Sequence, residues 1–421
     1  MSAVSDLHIA GDQIMSLTAS PLSDDRLHGL DALRGIALLL GVVLHTLMSF
    51  FPVPIWVVVD DQTSPVASTI FFAIHLFRMT TFFLIAGLFA HMMLGRKGLW
   101  GFAKDRLIRI AGPLLGLWWL ALAAIIAVLL WNVAIQNGGS LPTDGPPPPP
   151  LTVETFPLTH LWFLWVLLIF YVAMLVLRAP FALLDRNGGW GRMVDRLTAA
   201  LVGPWTPAVL AAPLALAFYL HPNWTAFFAI PTPDTGLVPN AVALTGFGSA
   251  FLFGFLLDRR RDLLERIRRL WPVFTVVAFG TGVGALMLAG GPVPDLTPVT
   301  DPSAKAALAT LMALAVFSGA MAAMSLALQL FSRRSPVRRY LADASYWIYI
   351  VHLPLVMVGQ TLVLGLAASW WLKATLVIGG TMLVSLITYE LLVRHSFIGR
   401  WLNGRRIPWK RQAEPAPAPA E

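Results

Sequence analysis

The sequence predicts an all-α fold: a polytopic transmembrane helix bundle of about ten spans with both termini cytoplasmic. Three observations carry that prediction. Of the 421 residues, 57% are hydrophobic and only 12% charged, against about 25% charged in soluble domains. The apolar residues gather into segments long enough, or nearly so, to cross a bilayer, for which about 20 residues suffice. The basic residues fall on alternate loops, as the positive-inside rule requires.

In order, the apolar segments run approximately 30–52, 67–94, 108–134, 158–178, 206–221, 240–257, 271–290, 306–331, 343–366 and 373–394. The residues ahead of the first lack a basic n-region, an apolar h-region and a cleavage site, so that segment reads as a retained span. The fifth is short and holds Pro207 and Pro213. Charge decides whether it counts. With the N-terminus inside, the cytoplasmic loops carry Arg96, Lys97, Lys104, Arg106 and Arg109, then Arg186, Arg192 and Arg196. Next come Arg259 to Arg261 with Arg266, Arg268 and Arg269, and then Arg333, Arg334, Arg338 and Arg339. The tail adds Arg400, Arg405, Arg406, Lys410 and Arg411, while the external side holds only Lys305 and Lys373. Dropping the fifth segment would move roughly half the basic loops outside, so it is kept. The domain reading is a cytoplasmic segment 1–29, a transmembrane domain 30–394 and a cytoplasmic tail 395–421 ending in AEPAPAPAE.

Two external loops stand out. Residues 135–157 contain Gly138–Gly139 and the run Pro146 to Pro150, which favours a stiff polyproline II spacer. Residues 221–240 mix aromatic and turn residues; Trp224 and Phe227 either anchor at the membrane interface or stack on a sugar ring. The net charge of +8 would suit nucleic acid, but topology alone accounts for the same arginines, with the lipid bilayer as their partner. No nucleic-acid partner is expected. The chain has no cysteine, which excludes disulfides, thiolate metal sites and an acyl-cysteine intermediate.

Ionisable groups inside a bilayer cost about 2.5–3.5 kcal/mol each, so those present ask for a reason. Segment one contains Asp31, Arg34 and His45 within LDALRGIALLLGVVLH. On a helix, Arg34 and His45 are separated by three turns plus about 20°, roughly 16 Å along the axis, with Asp31 within about 40° of the same line. Arg34 lies near the cytoplasmic end, where it either snorkels, pairs with Asp31, or lines a path shared with His45. His45 is deeper, as a satisfied core histidine or a catalytic one. Segment two places His75 and Arg78 at i,i+3, and Arg78 is too far from either end to snorkel; it needs a carboxylate, water or a ligand anion. His160 opens segment four, and Ser345, Tyr349 and His352 share one face of segment nine. In segment ten, Glu390 and Arg394 stand at i,i+4, a structural ion pair or an orienting group. Arg106 and Arg109, at the mouth of span three, serve topology or clamp phosphate. No HxxxH or HExxH spacing occurs, and no metal is expected. General-base chemistry needs only one histidine near its reference pKa of about 6.5, with arginines to hold anions.

Taken in order, LDALRGIA with Arg34 and His45, FFLIAGLF, Arg106-x-x-Arg109, HLWFLW and SYWIYIVHLP resemble the acyltransferase 3 family of integral membrane acyltransferases; residues 197–305 carry no matching motif. Within it, HLFRMTTFFLIAG, HLWFLWVLLIFY and LLVRHSFIGRWLNG are most similar to the glucan biosynthesis protein C subgroup, associated with succinylating periplasmic glucans. Other members acylate O-antigen, peptidoglycan or small glycosides. The resemblance implies a multi-pass O-acyltransferase of the bacterial inner membrane. Its donor would be a cytoplasmic acyl-CoA (succinyl-CoA or acetyl-CoA), its acceptor a carbohydrate hydroxyl on the far side, and no cofactor would be permanently bound. His45, Arg34, His75 and Arg78 then form the catalytic set. Arg106 and Arg109 hold CoA, and His160, His352 and Glu390 complete the substrate site. Direct transfer and an acyl-histidine intermediate both remain open. The rival reading is a proton-coupled transporter or flippase of a glycoconjugate; the sequence shows no internal symmetry of the kind carriers use.

Overall fold

The computed structural model describes residues 22–141, 150–185, 187–331 and 333–404. Most of the proline run, Arg186, the N-terminal 21 residues and the tail from Arg405 onward lie outside the described residues. Among those described, the chain is helical and forms no strand, apart from one isolated bridge between Pro157 and Thr235.

Helix α1, Leu22–Leu47, runs on into a 3-10 turn, Met48–Phe50, and stops at a loop studded with Pro52 and Pro54. The Ser64 hydroxyl accepts from Val66 N at 3.2 Å and Pro65 takes the first turn, so α2 begins at Pro65 and ends at Arg106. A π-helical turn, Leu107–Ala111, joins it to α3, Gly112–Gln136. The apolar stretch 65–136 is 72 residues long, which would span roughly 108 Å if straight against a hydrocarbon core of about 30 Å. It folds back instead, interrupted at Gly98, whose φ of 67° and ψ of 179° are non-helical. His75 and Asn132 lie toward one end of the bundle, and Arg106 and Arg109 toward the other. The stretch is thus two antiparallel crossings.

Helix α4 covers Trp162–Leu184. Helices α5, Gly189–Leu201, and α6, Thr206–Leu220, meet at a 100° bend. Helix α6 is the short fifth segment. It runs from Trp205, which sits under the Arg266 guanidinium at 5.9 Å, to His221, whose carbonyl accepts from Lys305 Nζ at 2.6 Å. The remainder is α7 Ala241–Arg259, α8 Leu263–Arg269, α9 Trp271–Leu288, α10 Pro302–Leu330, α11 Pro336–Val363, α12 Trp370–Thr388 with a π-helical extension Tyr389–Val393, and α13 Phe397–Asn403. Among the described residues, eight apolar helical stretches are long enough to cross a membrane, and the bent α5–α6 pair passes the same test only when taken together. Counting 65–136 twice and that pair once gives ten, the number the charge pattern predicts.

Helix α10 is the most enclosed, and α2 packs along α7. Those two helices approach so closely that a Cβ on Gly87 would run into the Phe251 carbonyl, and one on Gly254 into that of Leu84; small residues permit such approaches between membrane helices. At the end away from the arginines, Lys373 Nζ lies 2.9 Å from both carboxylate oxygens of Asp60, and each side chain is only 1% exposed. This buried ion pair draws the 51–64 loop onto α12.

One expectation is revised. Trp224 and Phe227 neither anchor at an interface nor present a face to a ligand: both are fully buried, Trp224 stacked on Phe218 at 4.4 Å and donating from Nε1 to Ala229 O at 2.8 Å. Beyond residue 394, α13 packs Trp401 onto Gly112 and Gly116, where no side chain blocks it.

Candidate active site

Two cavities lie end to end in the bundle, of about 380 and 250 Å³. Helix α1 lays Arg34, Leu38, Gly41 and His45 along them, at steps of four, three and four residues, so the stripe legible in sequence faces the passage. The larger cavity gathers His45, His75, Arg78, His160 and His352. The smaller gathers Arg34, Arg106 and Arg109 with Tyr171 and Tyr346. Leu38, Phe82, Phe163 and Tyr349 line both, so they form the constriction between them.

In the histidine cavity, the ring centroids of His45 and His160 each lie 5.3 Å from that of His352. Backbone carbonyls set the tautomers, since a carbonyl can only accept. His352 Nδ1 is 2.6 Å from Tyr349 O, so it carries the hydrogen and leaves the Nε2 lone pair free. His160 Nε2 donates to Ile350 O and His75 Nε2 to Phe228 O, both at 3.0 Å. His45 Nδ1, His352 Nε2 and Arg78 Nε are buried without a hydrogen-bond partner. The Arg78 guanidinium lies against α1 because residue 41 is glycine: a Cβ there would stand 2.5 Å from Nη1.

Arg106 and Arg109 of the arginine cavity are anchored on Asp105, which is buried and pairs with Lys97, with Arg106 and, at 3.5 Å, with Arg109. Arg106 is wedged between the rings of Phe102 and Tyr171, 5.3 and 5.5 Å from their centroids. Tyr346 donates to Arg109 O at 2.7 Å and so fixes the turn that carries both arginines. Arg34 pairs with Asp31 at 3.5 Å and remains half-exposed. Glu390 joins neither cavity; it is partly exposed beside a separate packing cluster, where it holds Arg394 at 2.7 Å and accepts from Tyr340 at 3.2 Å. Among the described residues, no three His, Asp or Glu side chains converge as metal ligands would.

A family described as an acyltransferase domain matches residues 27–390, nearly the whole bundle and every residue lining the two cavities except Leu402 and Asn403. The chain belongs to the acyltransferase 3 family. No curated protein and no solved structure matches it. It is therefore a multi-pass membrane acyltransferase, with a basic compartment and a histidine compartment joined by a narrow neck. Several residues that line or shape the cavities of this acyltransferase carried no signal in the sequence. Gly41 reads as one glycine among 33 until Arg78 is placed against it. Trp56, in a proline-flanked loop, lines the histidine cavity 5.9 Å from His45 because of a distant partner, Gln360. Tyr346 was legible in principle, lying one turn from Tyr349 on the same face.

Proposed function

We propose that this acyltransferase moves an acyl group from acyl-CoA at the arginine-rich end to a carbohydrate hydroxyl at the opposite end. The carrying observation is the passage itself, with arginines at one mouth, histidines with uncommitted nitrogens at the other, and a shared constriction between. The positive-inside rule makes the arginine end cytoplasmic, where acyl-CoA is found, and in a bacterium the bilayer is the inner membrane. Arg34, Arg106 and Arg109 hold CoA phosphates, for which a guanidinium fork is suited. The thioester then threads the neck to His45. His45 takes the hydroxyl proton as the sugar oxygen attacks the thioester carbonyl; the C–O bond forms, the C–S bond breaks, and the proton passes to the departing thiolate. Arg78 faces the developing oxyanion or, with a succinyl donor, its distal carboxylate. An acyl group carried briefly on His45 would use the same layout. His352 and His160 orient the reacting groups. A periplasmic or surface glucan as acceptor and succinyl or acetyl as acyl group are the subgroup reading.

The test is purified protein with labelled acetyl-CoA or succinyl-CoA and a glycoside acceptor. Normally inserted His45→Ala is expected to lose about 10²- to 10⁴-fold in rate, the usual contribution of general-base catalysis. A variant as fast as wild type would overturn the assignment, and transport of unmodified glycoside without acylated product would favour the carrier.

A further inference from the structure

The histidine cavity has a second wall that the transfer chemistry does not use. Trp56 reaches it from the 51–64 loop and is pinned from two sides. Its Nε1 donates to Gln360 Oε1 at 3.0 Å, and Gln360 in turn donates to the carbonyls of His45 and Thr46 at 2.9 and 3.2 Å. The buried Asp60–Lys373 pair fixes the end of the same loop. Trp56 is thus positioned from the backbone of the very turn that carries His45, with the two ring centroids 5.9 Å apart.

The 221–240 loop brings Asn223, Thr225, Thr232 and Asp234 to the same cavity. Its backbone is held by the Trp224 indole on Ala229 O, by Asn240 Nδ2 on Pro231 O at 3.0 Å, and by Thr159 N on Asp234 O at 3.0 Å. Asn223, Thr225 and Thr232 spend no side-chain hydrogen bond on any described residue. Preformed polar groups on a fixed loop beside an indole suit a ligand that is apolar on one face and hydroxylated at its edge. Among the described residues, Arg78 is the one guanidinium or ammonium lining this cavity, and it lies against Gly41. The outer wall therefore offers amide, hydroxyl, carboxylate and the His221 imidazole but no guanidinium or ammonium, which suits a neutral ring and not a phosphorylated one.

We propose that Trp56 and the Asn223–Asp234 loop form the acceptor subsite, which takes a neutral saccharide ring with its C–H face on the indole and its hydroxyls on the loop. This rests on the acyl-transfer reading above and adds that the acceptor ring is neutral and which residues hold it.

The experiment is steady-state kinetics of the full chain in detergent, with acetyl-CoA or succinyl-CoA and methyl β-glucoside, beside calorimetric binding of the glucoside without donor. Trp56→Leu is expected to raise the acceptor KM roughly tenfold while the acyl-CoA KM stays within twofold, and Trp56→Phe, which keeps a ring, to recover most of that loss. Asn223→Ala is expected to raise the acceptor KM about fivefold, the worth of one neutral hydrogen bond. Acceptor KM values within twofold of wild type in both Trp56→Leu and Asn223→Ala would overturn the subsite, as would equal changes in both KM values. If Trp56→Leu does not fold, Asn223→Ala decides alone on the same criterion. Wild type that binds the glucoside in a Trp56-dependent way but transfers no acyl group would sink the transfer reading alone. Absence of glucoside binding by wild type would sink the subsite.

Discussion

The imidazoles of His45 and His352, from α1 and α11, lie 5.3 Å apart, and each holds a buried ring nitrogen with no partner. A buried polar atom left unpaired costs about 1–3 kcal/mol. Here two occur side by side, with Arg78 Nε as a third on the same cavity. His221 Nδ1 is a fourth on this cavity; among the described residues the other such atoms, on Thr46, Arg106, Thr381 and Ser385, lie outside its lining, and Lys305 and Lys373 are satisfied by a loop carbonyl and by Asp60. Unmet hydrogen bonds gathered on one wall are what a site that receives a polar ligand looks like before the ligand arrives.

Gly41→Ala tests the Arg78 placement without touching a titratable group. A Cβ at 2.5 Å from Nη1 forces the guanidinium off α1, while alanine is the better helix former by about 1 kcal/mol. Acyl transfer is expected to fall about 10²-fold, the scale for losing one donor to a developing oxyanion, with thermal stability unchanged or raised. Wild-type activity in a folded Gly41→Ala protein would show that Arg78 is not needed at that position.

The bundle was legible because hydropathy and arginine position are local properties of the chain. The α1 stripe was legible for the same reason: a helix fixes which of its own residues share a face, so Arg34 and His45, and likewise His75 with Arg78, could be paired before any packing was known. What sequence could not supply was contact between helices. Glu390 and Arg394 read equally well as ion pair or site, and only the positions of Tyr340 and the two cavities separate those readings. Trp224 reads as a surface aromatic because its loop is polar, yet Phe218 and Ala229 enclose it. Trp56 depends on Gln360, on another helix.

At the arginine end, Arg106 is largely committed to Asp105 and to two aromatic rings, whereas Arg109 meets Asp105 only at 3.5 Å. Arg109→Ala is therefore expected to raise the acyl-CoA KM about tenfold with kcat little changed, as loss of one charge-assisted hydrogen bond would. Replacing Arg106 and Arg109 together is expected to raise it further. A KM unmoved by the double substitution would leave both residues as topology signals.

Lys373→Met leaves Asp60 buried without its cation, a change that costs about 3–5 kcal/mol in comparable pairs. Thermal unfolding in detergent is expected to register that loss. The double variant Asp60→Leu with Lys373→Met is expected to recover much of it, because apolar replacement of a whole buried pair is often neutral. If the double variant is no more stable than Lys373→Met, the pair is not what holds the 51–64 loop.

The constriction provides the sharpest test of the route. Leu38 stands one turn from Arg34 and one from Gly41, lines both cavities, and belongs to no polar network. Enlarging it therefore narrows the neck without removing a charge or a hydrogen bond. Leu38→Trp is expected to cut acyl transfer at least 100-fold, since a thioester that stops short of the near-attack distance forfeits most of its orientation advantage. Acyl-CoA binding at the arginine end, measured directly, should stay within about threefold, because a bidentate phosphate contact does not depend on how far the pantetheine arm penetrates. Leu38→Ala, which widens the neck, should bind and transfer within a few-fold of wild type. Overpacking costs about 1–3 kcal/mol in a filled core but less where the new ring can occupy a lumen, so Leu38→Trp should insert and unfold normally. A folded Leu38→Trp protein with wild-type transfer would mean that donor and acceptor meet by some path other than this passage.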